Sequence, residues 1–211
     1  MKICFISDVH SRWKDLVIPE CDVLVSCGDY SFVGECHLVK NFHKWLNKQK
    51  ATHIISVQGN HEKWVEANFN EARTLAQSVC PRVHFIDEGE VDIDGVKFFG
   101  SAITPYFFNW AWNRYRGEDV NKHWARIPDD VNVLITHGPV YGILDQLPDG
   151  TNVGCEGLFN RIQQLDQCKI HACGHIHDAY GEKYFNGRKY INASICDERY
   201  SPTNLPILIE I

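Results

Sequence analysis

The stretch Ile54-Ile55-Ser56-Val57-Gln58-Gly59-Asn60-His61-Glu62 passes from β-branched apolar residues into Gly-Asn, which reads as a buried strand opening into a tight loop. Asn60 and His61, both rich in lone pairs, are displayed at the carboxyl end of that strand, where α/β sheets keep their sites. Alone, Gly59-Asn60-His61-Glu62 is first of all a turn with a hydrogen-bonded imidazole. Whether it is more depends on what the other strands carry at the same end.

Four further apolar runs end in residues of the same kind. Met1 to Ile6 leads into Asp8-Val9-His10-Ser11-Arg12; residues i and i+2 of an extended segment face one side, so Asp8 and His10 can point together at one ion. Asp22 to Cys27 delivers Gly28-Asp29-Tyr30, where the glycine lets backbone approach closely and the Asp29 carboxylate projects to a place that two cations could share. Val131 to Thr136 ends in His137-Gly138-Pro139, and Lys169 to Cys173 ends in Gly174-His175-Ile176-His177, again two ligand types at i and i+2. Taken singly, Asp8 is also an Asp-capped turn and Gly28-Asp29 a common turn, while His171, inside its strand, reads as a satisfied core residue.

Helices fill the gaps between these strands. From Glu35 to Lys50 the residues Leu38, Val39, Phe42, Trp45 and Leu46 recur at three and four, a helix with one buried stripe and the first crossover of a βαβ unit; His37 and His43 are placed on its surface or edge. Lys63 to Cys80 has loosely helical spacing until Pro81 and reads as a second crossover helix. After a short strand at Val83 to Ile86, Glu90 to Gly100 alternates about Asp94-Gly95, so the chain turns to hairpins and to a mixed or second sheet.

Thr104 to Ile127 has little periodicity, but carries Tyr106, Phe107, Phe108, Trp110, Trp112, Tyr115 and Trp124 among Arg114, Arg116, Lys122 and Arg126. Such rings beside guanidinium groups can stack a base and hold a phosphate, or they can pack a long loop onto the core; the segment is a candidate lid. Glu156 to Leu165 should form a short helix, and Tyr180 to Phe185, Lys189 to Ala193 and Leu208 to Ile211 read as hairpin strands joined by Asn186-Gly187 and a Pro-containing turn.

A chain of 211 residues that is 44% hydrophobic and 23% charged suits one sizeable core and is short for two domains. Its start carries neither a cationic leader nor a small-residue cleavage site, and no stretch approaches the roughly 18 apolar residues of a membrane span, so a soluble protein that is not exported is expected. Nine cysteines, several in or beside buried strands and none in a Cys-x-x-Cys pair, fit a reducing cytoplasm and disfavour a thiolate zinc site. A net charge of −6 with scattered Lys and Arg disfavours tracking along a long nucleic acid.

The succession Asp-x-His, Gly-Asp, Gly-Asn-His-Glu, His and Gly-His-x-His resembles the signature of the calcineurin-like metallophosphoesterases. Asp8-Val9-His10-Ser11-Arg12, Asn109-Trp110-Ala111-Trp112-Asn113, Trp124 with Ile127-Pro128, His137-Gly138-Pro139 with Ile143-Leu144-Asp145, Gly154-Cys155 and Asn192-Ala193-Ser194 are similar to one branch of that superfamily, the animal metallophosphoesterase-domain proteins and their bacterial relatives. The resemblance spans nearly the whole chain. It implies an α/β fold, a four-layer α/β/β/α sandwich of two mixed β-sheets flanked by helices, with residues 1–211 as one domain and 104–127 as a lid-like insertion. It also implies two divalent metal ions, the first held by Asp8, His10, Asp29 and His177, the second by Asp29, Asn60, His137 and His175, with His61 left unligated.

Elementary chemistry agrees with that assignment. Two divalent cations about 3.5–4 Å apart can bind phosphate oxygens, neutralise charge in an in-line displacement and lower the pKa of a bridging water so that hydroxide attacks phosphorus. Neutral His and Asn keep the ligand charge low, and His61, beside a ligand but free, is suited to protonate the leaving alkoxide as general acid; Glu62 could orient it or be a helix-start residue. The N/O donors suit manganese, iron or zinc, with manganese expected to support activity. Arg12, Trp110 and Trp112 are the candidate substrate-binding residues.

Gly28-Asp29-Tyr30-Ser31-Phe32 lacks the Asp-Arg-Gly that resembles Ser/Thr protein phosphatases and dinucleoside polyphosphate-cleaving relatives, which disfavours that branch. The expected activity is a phosphodiesterase on cyclic nucleotides, including 2′,3′-cyclic ones, or other small phosphodiesters. A nuclease or phosphomonoesterase on the same site is the alternative, and a non-enzymatic binding module the remote one.

Overall fold

Alternation within the apolar runs divides the side chains between two clusters. In β1 (Lys2–Ile6) Ile3 and Phe5 join one cluster, while Cys4 and Ile6 join the other. The remaining elements of the computed structural model, which describes residues 1–211, are β2 (Cys21–Ser26), α1 (Cys36–Leu46), β3 (Ala51–Ser56), α2 (Lys63–Ala67), α3 (Phe69–Val79), β4 (Val83–Phe85), β5 (Gly89–Ile93), β6 (Val96–Ser101), β7 (Thr104–Pro105), β8 (Asn113–Arg114), α4 (Glu118–Trp124), β9 (Val133–Thr136), α5 (Glu156–Ile162), β10 (Ile170–Cys173), β11 (Gly181–Phe185), β12 (Arg188–Asn192) and β13 (Ile207–Glu210).

Two mixed sheets result, one ordered β13-β1-β2-β3-β4 and the other β11-β12-β10-β9-β6-β5. In the first, β1 to β4 run parallel and β13 closes the edge antiparallel. In the second, β12, β10, β9 and β6 run parallel, and β11 and β5 are antiparallel hairpin partners at the two edges. Ile3, Phe5, Val23, Val25 and Ile55 of the first sheet meet Phe98, Val133, Ile135, Ile170 and Ile191 of the second, so the sheets are packed face to face. Full burial of each such side chain contributes about 1.5–3 kcal/mol. The opposite faces carry α1 and α3 on one side, α4 and α5 on the other, which is the four-layer sandwich expected.

The structure departs from the sequence reading in four places. The helix expected over 63–80 is broken at Asn68 (φ −134°, ψ 39°), whose amide donates to the Trp64 carbonyl at 2.8 Å; an Asn side chain competes with the helix for backbone partners. His43 is buried rather than at a surface or edge, with Nδ1 donating to Val39 O at 2.7 Å and Nε2 3.1 Å from Ser56 Oγ. The last strand, β13, is no hairpin partner of β12: it crosses to β1 in the other sheet. Finally, 104–127 contains a short parallel pair, β7 with β8, and a helix, α4, that the weak periodicity hid.

Candidate metal centre at the strand ends

Five parallel strands, β1, β2 and β3 of one sheet and β9 and β10 of the other, end at one rim, and their next residues are Asp8 and His10, Asp29, Asn60 and His61, His137, and His175 and His177. The two sheets are stitched there by a bridge between Ser7 and Ser194. Turning side chains into the rim requires unusual backbone: Asp8 (φ 51°), His10 (φ 37°), Asp29 (φ 53°) and His175 (φ 70°) all lie in the left-handed region. Non-glycine residues are uncommon there, and such strain gathers at functional sites. Gly174 is needed for a different reason, since a Cβ on it would lie 2.0 Å from Ser7 Oγ and 2.1 Å from Asp8 Oδ2.

Ligand atoms of Asp8, His10 and His177 lie within 4.8 Å of one another, and so do those of Asp29, His137 and His175. His177 Nε2 is 3.4 Å from Asp8 Oδ1 and 3.3 Å from His10 Nε2; His137 Nε2 is 3.2 Å from Asp29 Oδ2 and 2.9 Å from Asn60 Oδ1. The structure thus brings together all seven residues read from the sequence as ligands. His61 is beside them, with Nε2 3.9 Å from Asp29 Oδ2, and its ring also falls within 4.8 Å of the ligand atoms of His10 and Asp29.

Main-chain carbonyls orient the rings. Nδ1 donates to Ser31 O from His10 (3.2 Å), to Cys27 O from His137 (2.9 Å), to Asp197 O from His177 (3.0 Å) and to Phe32 O from His61 (2.9 Å). A carbonyl can only accept, so each Nδ1 carries a proton and each Nε2 faces inward, where it can ligate a cation that displaces any proton it holds. Two such Nε2 atoms, of His10 and His177, then face each other, an arrangement that calls for a proton or a cation between them. Asp8 Oδ1 is buried without a hydrogen-bond partner, while Oδ2 accepts from Ser194 Oγ and the His175 N–H, both at 2.9 Å. The orphaned oxygen and the facing Nε2 atoms fit a pair of divalent cations held by oxygen and imidazole donors.

Glu62 does not orient the His61 ring. Its buried carboxylate accepts the N–H groups of Gly59 (2.8 Å), Asp29 (2.9 Å) and Ser31 (3.1 Å) and the Ser31 hydroxyl (3.0 Å), tying the loop after β2 to the loop after β3. Sequence reading missed this, and missed Ser194 and Asn192, where the Ser194 N–H donates to Asn192 Oδ1 at 3.1 Å behind Asp8; the motif Asn192-Ala193-Ser194 was the available signal.

Charge in the site is balanced between carboxylates and imidazoles. Burial opposes ionisation of Asp8 and Asp29, but the neighbouring imidazoles, His177 beside Asp8 and His137 beside Asp29, prevail and hold both carboxyls below their usual range. Burial likewise opposes charge on His137 and His177, and the partner carboxylates overcome it, pushing each up to about 9. Burial lowers His10 and His175 to about 4, so these two stay neutral and ready to donate lone pairs.

Above the rim lies a cavity of about 760 Å³, with Asp29, Asn60, His61, His175 and His177 in its floor and Phe107, Phe108, Trp110, Arg116 and Tyr200 among its walls. Trp110 stacks on His61 with ring centroids 4.1 Å apart. Two of the three expected substrate contacts are elsewhere. Trp112, in a turn with φ 52°, is buried, with Nε1 donating to Asp87 at 2.8 Å. Arg12 lies outside the cavity, half exposed and 3.9 Å from Asp15. Lys63 and Arg116 are the cations of the cleft.

Residues 1–179 match the family model of the calcineurin-like phosphoesterases, and the chain belongs to that family of metal-dependent phosphoester hydrolases. It is 34% identical over 226 aligned residues to Metallophosphoesterase domain-containing protein 1 of Homo sapiens, and to the same degree to that of Mus musculus, with 98% of this chain and 69% of each relative aligned. Among solved structures, the phosphopantetheinyl hydrolase PptH from Mycobacterium tuberculosis superposes with a TM-score of 0.67 at 15% identity, covering 99% of this chain and 95% of that one. An archaeal phosphodiesterase gives a TM-score of 0.52 at 15% identity over 99% of this chain and 100% of its own. At that identity the likeness is one of fold. No helix is long and apolar enough to cross a membrane.

Proposed function

We propose that residues 1–211 act as a single domain that hydrolyses small phosphodiesters in the cytoplasm, cyclic nucleotides including 2′,3′-cyclic ones foremost. The observation that carries the reading is the orphaned Asp8 Oδ1 and the inward Nε2 atoms at the floor of an aromatic-walled cavity of about 760 Å³. Asp8, His10, Asp29 and His177 would hold one cation, and Asp29, Asn60, His137 and His175 the other, with manganese as the working ion and iron or zinc as competitors. Lewis-acid activation of water and neutralisation of phosphate charge are what such a pair supplies when bound.

The chain's own residues do the rest. His61 donates Nδ1–H to Phe32 O, which leaves Nε2 toward the cavity, where it can deliver a proton to the leaving alkoxide. The Trp110 face stacked on the ring fixes its plane. Phe107, Phe108 and Trp110 offer a surface on which a base can stack, and Lys63 and Arg116 border it with positive charge.

Cleavage of bis-p-nitrophenyl phosphate and of a panel of cyclic nucleotides, after chelation and readdition of Mn²⁺, tests the reading. His61→Ala should lower kcat by about 10²–10⁴-fold with no recovery in excess metal, as loss of a general acid would. Asn60→Ala should weaken one ion and recover partly in excess Mn²⁺. Were His61 a ligand, its variant would instead lose bound metal in elemental analysis and regain activity as the Asn60 variant does.

A further inference from the structure

The loop after β12 brings Glu198 to the cavity beside His177 and Tyr200. That loop is braced. The Asp197 carboxylate accepts N–H groups of Arg199 and Ser201 at 2.9 Å each, Tyr200 N–H returns to Asp197 O at 2.9 Å, and the same carbonyl receives His177 Nδ1–H. Glu198 itself takes part in no ion pair and no side-chain hydrogen bond. Neither cation of the cleft pairs with it: Arg116 pairs with Glu156 and donates to Val153 O at 2.7 Å, and Lys63 donates to Asn109 O at 2.9 Å. A braced loop therefore holds an exposed, unpaired carboxylate on the bank of a cavity that must admit an anion.

We propose that Glu198 is a specificity-determining residue that favours monoanionic phosphodiesters over dianionic phosphomonoesters in this cleft. The inference rests on the phosphodiesterase reading above and deepens it. A diester carries one negative charge at neutral pH, whereas a monoester, with a second pKa near 6, carries about 1.5 to 2. Repulsion by Glu198 acts on both but about twice as strongly on the monoester. At a partly solvated distance of several ångströms the extra charge is worth a discrimination of about threefold to tenfold. Opening a cyclic phosphodiester turns a monoanion into a monoester dianion, so the same carboxylate also helps to expel the product.

The test uses Mn²⁺-loaded protein and compares kcat/KM for bis-p-nitrophenyl phosphate with that for p-nitrophenyl phosphate in wild type, Glu198→Gln and Glu198→Lys. The exposed side chain bonds to nothing, so both variants should fold. The diester-to-monoester ratio should fall by about fivefold in Glu198→Gln and further in Glu198→Lys, and the shift should shrink in about 0.5 M salt, where charges are screened within a few ångströms. Inhibition by a nucleoside monophosphate should tighten by a similar factor. A ratio that stays within twofold of wild type in both variants, in an enzyme that does cleave diesters, overturns the role of Glu198. A wild-type enzyme that cleaves the monoester and not the diester overturns the phosphodiesterase reading itself, and this inference with it.

Discussion

The floor and the wall of the cleft are built on opposite principles. Asp8, His10, Asn60 and His137 are between 0% and 3% exposed, and each is held by backbone groups from a neighbouring loop. Tyr106, Phe107 and Phe108 in the wall are 52%, 51% and 70% exposed, and Tyr106 and Tyr115 stack on each other rather than on the core. A floor determined by many bonds can keep ligand atoms within the few tenths of an ångström that catalysis demands, while a wall of solvated rings can adapt to what enters. Under the proposed function, chemistry and selectivity would fall to these two regions separately, and substitutions should sort in the same way.

The sharpest break should come from Asp29→Ala. It removes the carboxylate placed between the two ligand groups and an acceptor of the His61 N–H at 2.8 Å, so turnover should drop by more than about a hundredfold and both ions should be lost in elemental analysis. Retention of both would mean that the two groups hold metal independently. The wall should respond in binding alone: the double change Phe107→Ala with Phe108→Ala should raise KM for a cyclic nucleotide by about tenfold with kcat nearly unchanged, and leave bis-p-nitrophenyl phosphate less affected. A fall in kcat of the same size would show that the wall also positions the reacting groups.

The smallest effect lies beneath the floor. Burial lowers His43 to about 4, and its Nε2 meets Ser56, the last residue of β3. The unfolded chain therefore binds more protons than the folded one between the ordinary value of 6.5 and about 4, and stability should fall as pH drops through that window. His171, lowered to about 3 by burial, acts in the same direction. About 1 kcal/mol should go between pH 6.5 and 5.5 for each such group. Thermal melts of His43→Gln should show a flatter pH dependence than wild type, with no change in KM.

Much of the floor was legible in the sequence because a strand's carboxyl end is a fixed address. Asp8-x-His10 and His175-x-His177 reach the rim as expected, though through left-handed backbone at Asp8, His10 and His175 rather than by the period of two of an extended segment, and Gly28 announces close approach. The wall was not legible to the same degree. Trp110 and Trp112 look alike in sequence, yet Trp110 lies on His61 and Trp112 is buried against Asp87, a choice made by the partners of each face. Glu62 is instructive too: beside His61 in the chain it suggested an orienting role, but its donors come from Gly59, Asp29 and Ser31.

By itself the sequence determined the strands, the residue types at their ends and therefore the class of chemistry, because local periodicity and turn residues act over a few positions. Only tertiary structure decided that β13 returns to β1, that Phe32 O turns the His61 ring, and that Glu198, from a loop with no motif, faces the cavity beside His177. These depend on contacts between residues far apart in the chain, which are fixed only when the two sheets close on their shared core and bring their carboxyl ends to one rim.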